Sequence, residues 1–350
     1  MKEENHLENF DTTKLIYHPD RLCHWLNKDT VYPIYSEISL TSACNHRCRF
    51  CAPKFFLNYK PIFMDTDVIK RTISNMAKAG VKAIMFGGEG EPLLHKDFIQ
   101  IAKHAKDCGI DISLTTNGIL FRNKVLDELL PILSWVKFSV DAGDFHTYAN
   151  LHGTKEADFK IVLDNISKSS FIKRVRKYSV LIEVQSILFS DNIEKLPNLA
   201  KILACFKPDY FIVKPFSKHE KSVDAALKHP TKEQISVFLK EMDKYKDKFH
   251  FIYRDTAFSN VDKRKPYDEC YGQDFVAYID TTGGVYSCIN YVGNQDFCYG
   301  NIYEKDFESI WKNKIKITPD LEQCRTICRL DQMNRYLYNL KKKPQHINFI

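Results

Sequence analysis

From residue 34 onward the chain alternates two textures: short apolar runs with a period of two, and longer stretches whose apolar positions recur every three or four residues. The first marks strands and the second amphipathic helices. Runs at 34–40, 81–86, 111–115, 135–141, 180–189 and 209–216 predict six strands, with a helix of ordinary length between each pair. The first of these helices begins at Asp67, capped by Asp65 or Thr66, and stops at Gly80. The second carries Phe98, Ile101, Ala102 and Ala105 on one stripe and closes at Gly109.

A β-α-β unit needs about thirty residues, and a complete eight-fold barrel roughly 250. The prediction is therefore an α/β fold, a partial (β/α)6 TIM-like barrel, over residues 33–230. Residues 1–32 form an extension with Leu15, His18, Leu22, Trp25 and Leu26 at helical spacing, packed on the outside of the barrel. After Phe216 comes a polar connector, then a helix at 231–248 and a strand at 249–255, within a connecting unit at 231–268. Residues 269–350 make a small Cys-rich C-terminal domain ending in a helix and a basic tail. There, runs at 275–279 and 285–288 flank Asp280-Thr281-Thr282-Gly283-Gly284, a β-hairpin signal.

Parallel α/β barrels collect functional groups at the C-terminal ends of their strands. On strand four Lys137, Ser139 and Asp141 share one face, against Val136, Phe138 and Val140 on the other. On strand five Glu183 and Gln185 alternate with Ile182 and Val184, and strand six carries Lys214 before Pro215. Polar groups aimed into a barrel must be satisfied or functional. As a set around one mouth they read as a polar-ligand pocket.

The composition narrows the setting. The N-terminus is polar and no apolar run approaches a membrane span, so the expected compartment is the cytoplasm. In that reducing setting the clustered ones among 11 Cys read as metal ligands, while Cys23, Cys108 and Cys205 read as small buried apolar residues. A net charge of +7 is spread along the chain, with a concentration at Lys341-Lys342-Lys343. That reads as a solvated surface, with an anionic substrate or nucleic acid as the other possibility.

The stretch with the most chemistry is Cys44-Asn45-His46-Arg47-Cys48-Arg49-Phe50-Cys51. Three thiolates on one short loop hold three irons of a cubane cluster and leave the fourth iron open. A zinc loop using Cys44, His46, Cys48 and Cys51 is the plainer alternative, although ligands so close together strain a tetrahedron. The spacing, with an aromatic residue before the third Cys, resembles the signature of the radical S-adenosylmethionine (radical SAM) superfamily. One unit later, Gly87-Gly88-Glu89-Gly90-Glu91-Pro92 resembles that superfamily's Gly-Gly-Glu-Pro motif, which binds the amino group of the methionine half of S-adenosylmethionine. The extra Gly-Glu leaves Glu89 and Glu91 as alternatives for the equivalent place. The same resemblance sets Phe50 near the adenine, and Thr116, Asn117, Ser139, Asp141 and Gln185 where the family contacts the ribose or methionyl group.

At the other end, Cys270, Gly283 and Cys288, then Cys324 and Cys328, resemble the twitch and SPASM auxiliary cluster domains of radical SAM enzymes. The implied cofactors are S-adenosylmethionine, a three-Cys [4Fe-4S] cluster that binds it, and a second, auxiliary [4Fe-4S] cluster on those four Cys. Cys298 is left over, and zinc on the same four thiolates is the alternative.

The resemblance implies reductive cleavage of S-adenosylmethionine to a 5′-deoxyadenosyl radical, which abstracts a hydrogen atom from substrate. The expected substrate is a small polar metabolite such as a polyol, aminocyclitol or sugar derivative. Net two-electron oxidation would use the auxiliary cluster as electron acceptor and Lys214, Glu183 or Asp141 as base. A flavodoxin or ferredoxin would be the reductant, with neither membrane nor nucleic acid as partner. The alternatives are a peptide- or protein-modifying maturase and a radical epimerase or dehydratase on a carbohydrate. A non-catalytic zinc or nucleic-acid-binding protein would leave the barrel motifs without a purpose.

Overall fold

The computed structural model describes residues 14–51, 60–216, 226–254, 265–315 and, between 317 and 348, all but 318, 323, 325–327, 343–344 and 347. Parts of the N-terminal extension, of the 217–230 connector, of the segment joining the last barrel strand to the Cys-rich region and of the basic tail therefore lie outside the described residues.

One sheet runs through the chain in the order β10-β9-β8-β1-β2-β3-β4-β5-β6-β7. The six strands expected from the period-two runs are β1 (Tyr35–Ile38), β2 (Ala83–Phe86), β3 (Asp111–Thr116), β4 (Leu133–Ser139), β5 (Leu181–Leu188) and β6 (Tyr210–Pro215). All pair in parallel with their neighbours. Two further parallel strands extend the ring, β7 (His250–Tyr253) beside β6 and β8 (Val276–Ile279) beside β1. The Cys-rich segment thus does not begin with a sheet of its own. Its hairpin, β8 with β9 (Gly284–Tyr286), grows from the edge of the barrel sheet, and β10 (Gly300–Asn301) follows. β7 and β10 are the ends of the order, so the barrel stays open.

The helices behave as their sequences dictate. α1 (Pro19–Leu26) precedes the sheet. α2 (Thr66–Lys78) is capped by Asp65, whose Oδ1 accepts from the N–H of Asp67 and of Val68. Gly80, at φ +87°, ends it in a conformation that favours glycine. α3 (Phe98–Asp107) buries the predicted stripe of Phe98, Ile101, Ala102 and Ala105. α4 (Lys124–Leu129), α5 (Phe145–His152), α6 (Glu156–Arg176), α7 (Leu196–Phe206) and α8 (Lys232–Met242) continue the alternation, and α9 (Phe307–Lys312) and α10 (Asp331–Lys341) close the chain. Val136, Phe138, Val140, Ile182 and Val184 are fully buried in the main core, so the opposite face of β4 and β5 carries the polar side chains.

A second core joins the two ends of the protein: Leu15, Leu22 and Val31 pack with Tyr267, Tyr271, Phe275 and Leu337. Trp25 donates from Nε1 to Asp274, and Arg21 donates to the carbonyls of Ala79 and Gly80. Leu26 is the exception to the predicted stripe and is exposed. Cys23 and Cys205, expected to be buried, are exposed too, and Cys108 is half-buried. Helical spacing places Cys23 and Cys205 on the outer faces of α1 and α7, where a small thiol costs little to leave in water.

Candidate functional site

The Cys loop leaves the C-terminal end of β1 and is gripped from two sides. On one side, the N–H groups of Arg47 and Arg49 donate to the carbonyls of His152 and Leu151 at the end of α5. On the other, the Glu91 N–H donates to the Ala43 carbonyl at 2.8 Å. Close approach on that second side depends on Gly90: a Cβ there would lie 2.5 Å from the Thr41 oxygen and 2.8 Å from the Ser42 carbonyl carbon. Gly88, at φ +101°, is required in another way, because a Cβ would strike the hydroxyls of Ser39 and Tyr278. The Gly87–Pro92 segment is thus a spacer that lets backbone meet backbone beside the thiols.

The two acidic residues of that segment go to different places. Glu91 is fully buried and accepts from the Thr116 hydroxyl at 2.7 Å, the Asn117 N–H at 2.8 Å and the Leu93 N–H at 3.2 Å. Asn117 in turn donates from Nδ2 to Asn45 Oδ1 at 2.6 Å, so the Cys loop, the glycine segment and the end of β3 form one network. Burial raises the Glu91 carboxyl to about 7, although three hydrogen bonds pull the other way, and its charge contributes to raising Cys44. Glu89 turns to the C-terminal segment, accepting from the Thr281 hydroxyl at 2.6 Å. Burial, with Asp280 adding to it, raises Glu89 to about 7 as well. Ser39 ties the same corner together: its Oγ donates to the Gly87 carbonyl, accepts from the Glu89 N–H, and lies 2.6 Å from the Tyr278 hydroxyl.

The three thiols fit a metal-sulfur cluster. Cys44, Cys48 and Cys51 are half-buried, and none of the three is in a disulfide. Burial pushes Cys44 up to about 11 and Cys48 well above the usual thiol range, and the neighbouring thiols add to both shifts. Such thiols are neutral without a metal and release their protons to one that binds. Behind them His152 presents Nδ1 3.5 Å from Cys48 Sγ, while its Nε2 accepts the Asp141 N–H at 3.2 Å. The same Nε2 lies 3.3 Å from Asp141 Oδ2, so the ring bridges Cys48 and Asp141 whichever nitrogen carries the proton. His46 lies on this inner side, 3% exposed, with its ring edge-on to Tyr148 and His152. One ligand atom each from His46, Cys48 and His152 falls within 4.8 Å of the others. Cys48 belongs to both sets, so a metal held by that trio would exclude the three-thiol cluster.

The remaining predicted residues separate into groups. Phe50 packs against Phe189 and His152, with centroids 5.5 and 5.7 Å away. Ser139 and Gln185 are register neighbours across β4 and β5, as are Lys137 and Glu183, whose charges meet at 3.2 Å. Asp141 Oδ1 accepts from the Ile187 N–H at 2.5 Å and its Oδ2 lies 3.3 Å from His152. Glu183 is 4% exposed on its side chain and its carboxyl is raised, first by burial, with Lys137 opposing. Lys214 is lowered to about 8 by burial and then by Lys137.

Four thiols converge at the other end of the sheet. Burial and neighbouring Cys288 and Cys324 raise Cys270 to about 12, and Cys328 is raised first by its hydrogen bond with Cys324. Tyr291 is raised by all four of Cys270, Cys288, Cys324 and Cys328, after burial, and four such thiols fit the donor set of a four-thiolate cluster. Cys298 stands apart, donating to the Gly300 carbonyl at 3.4 Å and packing in the aromatic group around Tyr278 and Tyr286. Arg329, next to Cys328, is ion-paired with Glu37 of β1 and lies 5.9 Å from the Tyr35 ring. Neither it nor His152 nor Thr281 stood out in the sequence. Only the adjacency of Arg329 to a predicted ligand was a signal.

Comparison with known proteins agrees with this arrangement. Residues 38–180 match the family model of the radical SAM superfamily, and residues 270–332 match that of the SPASM iron-sulfur cluster-binding domain. A GTP 3′,8-cyclase of Limosilactobacillus fermentum is 34% identical over 43% of this chain and 47% of its own length. A PqqA peptide cyclase of Bradyrhizobium diazoefficiens is 27% identical over 49% of this chain and 43% of its own. The chain thus spans about half the length of these curated relatives or less. Among solved structures, Streptococcus suis SuiB bound to precursor peptide SuiA shares the fold, with a TM-score of 0.67 and 16% identity over 89% of this chain and 71% of that one.

Proposed function

Starting from a chain that carries a radical SAM domain followed by a SPASM iron-sulfur domain, we propose an enzyme that cleaves S-adenosylmethionine reductively to modify a side chain of a peptide or protein. The observation that carries the reading is the double grip on the Cys loop, which sets three thiols beside the buried carboxylate of Glu91 at the barrel mouth. Cys44, Cys48 and Cys51 would hold one [4Fe-4S] cluster, and Cys270, Cys288, Cys324 and Cys328 the other. Bound, these groups supply one-electron cleavage of S-adenosylmethionine, hydrogen-atom abstraction and a second redox centre.

The chain's own residues do the rest. Glu91 takes the amino group of S-adenosylmethionine, because it and not Glu89 shares a network with the Cys loop. Gly87 and Gly88 lend backbone polar groups to the same end. Phe50 lines the adenine side. Thr116, Asn117, Ser139 and Gln185 face the ribose and methionyl parts. Asp141 acts through His152, holding the ring that points at Cys48. Glu183, oriented by Lys137, remains for proton handling.

A peptide substrate is supported by the peptide cyclase among the relatives and by the fold shared with a protein that was solved with its precursor peptide. None of these relatives is named for a polyol, aminocyclitol or sugar derivative, the small polar metabolites expected from the sequence. A flavodoxin or ferredoxin in the cytoplasm would deliver the electron. Among the described residues no helix is long and apolar enough to cross a membrane.

The test is anaerobic reconstitution with iron and sulfide, then dithionite and S-adenosylmethionine. Methionine and 5′-deoxyadenosine are expected from the wild type and not from a Cys44→Ala, Cys48→Ala, Cys51→Ala triple variant. Equal turnover in both would refute the reading.

A further inference from the structure

Most charges on the polar face of the barrel sheet are matched within the protein. Lys137 is paired with Glu183, Arg329 with Glu37, and Asp141 lies against His152 and the Ile187 N–H. Lys214 is different. It sits at the C-terminal end of β6, opposite Ile187 of β5, and is half-buried. Among the described residues no carboxylate comes within ion-pairing distance of its ammonium and no acceptor is hydrogen-bonded to it.

The charges that bear on Lys214 are two cations, Lys137 and Arg254, and two carboxylates, Asp141 and Glu37, each already engaged elsewhere. Among the described residues the lumen therefore gathers Lys137, Lys214, Arg254 and Arg329 around Glu37, Asp141 and Glu183, one cation more than carboxylates at the strand ends. Burial, and after it the charge of Lys137, makes Lys214 give up its proton more readily than an ordinary lysine. A bound anion offsets the cost of that burial and gains charge-assisted hydrogen bonds.

We infer that the lumen holds its substrate by an anionic group, a carboxylate or a phosphate, seated on Lys214 with Arg254 beside it. The inference rests on the enzymatic reading above and adds the chemistry of the substrate to it. An acidic side chain or a terminal carboxylate is what a peptide would offer.

The experiment uses the reconstituted protein with S-adenosylmethionine bound, and reads thermal stability at pH 7 with ionic strength held constant by chloride. Acetate is titrated in one arm and inorganic phosphate in the other. A saturable stabilisation is expected in the wild type, and the arm that gives it says which anion the site takes. Lys214→Met should weaken the apparent affinity roughly tenfold or more, the scale of a lost charge-assisted hydrogen bond, while Lys214→Arg should stay within about threefold of wild type. Lys214→Gln serves if the methionine variant does not fold.

The inference is overturned if neither anion saturates on the wild type, or if the uncharged variants bind as the wild type does. It is overturned as well if they lose the stabilisation by S-adenosylmethionine, since the lysine then serves that ligand's own carboxylate. Release of 5′-deoxyadenosine by the same wild-type samples tests the enzymatic reading separately. A wild type that binds the anion but never cleaves S-adenosylmethionine keeps the anion site and loses that reading.

Discussion

Gly90→Ala tests whether contact between the glycine segment and the Cys loop sets the chemistry. A Cβ at this position would lie 2.5 Å from the Thr41 carbonyl oxygen and 2.8 Å from the Ser42 carbonyl carbon, where ordinary contact begins at 3.4 Å. Both neighbours are backbone, so no side chain can swing aside, and the two segments must part by roughly an ångström. Overpacking of this kind costs about 1–3 kcal/mol. The Glu91-to-Ala43 hydrogen bond spans the same seam, and its loss adds about 1 kcal/mol. Moving a positioned group by an ångström typically costs on the order of a hundredfold in rate.

The assay is the rate of 5′-deoxyadenosine release under reducing, anaerobic conditions, alongside the melting temperature. Gly109→Ala is the control. Gly109 also has a positive φ, +77°, but a Cβ there meets nothing within 4 Å. The control should lose about 1 kcal/mol of stability and keep its rate, whereas Gly90→Ala should lose about two orders of magnitude. A Gly90→Ala enzyme with the wild-type rate would refute the claim that this seam positions the thiols against Glu91.

Glu89 predicts a pH dependence. Its carboxyl is raised to about 7 in the fold from an ordinary value of 4.5, so the folded chain binds the proton more tightly than the unfolded one. The stability this contributes is full below about pH 4.5 and is lost as pH rises to about 7. Glu91 and Glu183 shift the same way, so Glu89→Gln should remove part of the decline in urea midpoint across that window and leave the rest, and parallel curves for variant and wild type would refute it. Cys298→Ser should leave the reconstituted protein with about eight irons, whereas Cys288→Ser should fall to about four. Equal losses would bring Cys298 into the auxiliary set.

Six strands, their helices and the first group of cysteines could be read directly because their signals are local. Alternation along β4 and β5, the stripe of α3 and the spacing of Cys44, Cys48 and Cys51 all lie within a few residues of sequence. A loop that carries three thiols must bring them close, whatever the rest of the chain does. The choice between Glu89 and Glu91 was of another kind. Both lie in one short segment, and what separates them is the partner each meets: Thr116 and Asn117 for one, Thr281 for the other.

The same holds for the parallel pairing of β8 with β1, the position of Cys298 outside the four-thiol group, and the reach of Arg329 to Glu37. Each depends on closing the sheet over most of the chain's length, and side-chain pattern along one segment carries no information about which distant segment will pair with it. The strands, and the thiols clustered on one short loop, were thus legible in the sequence alone. Which side chains face one another was decided when the strands came together.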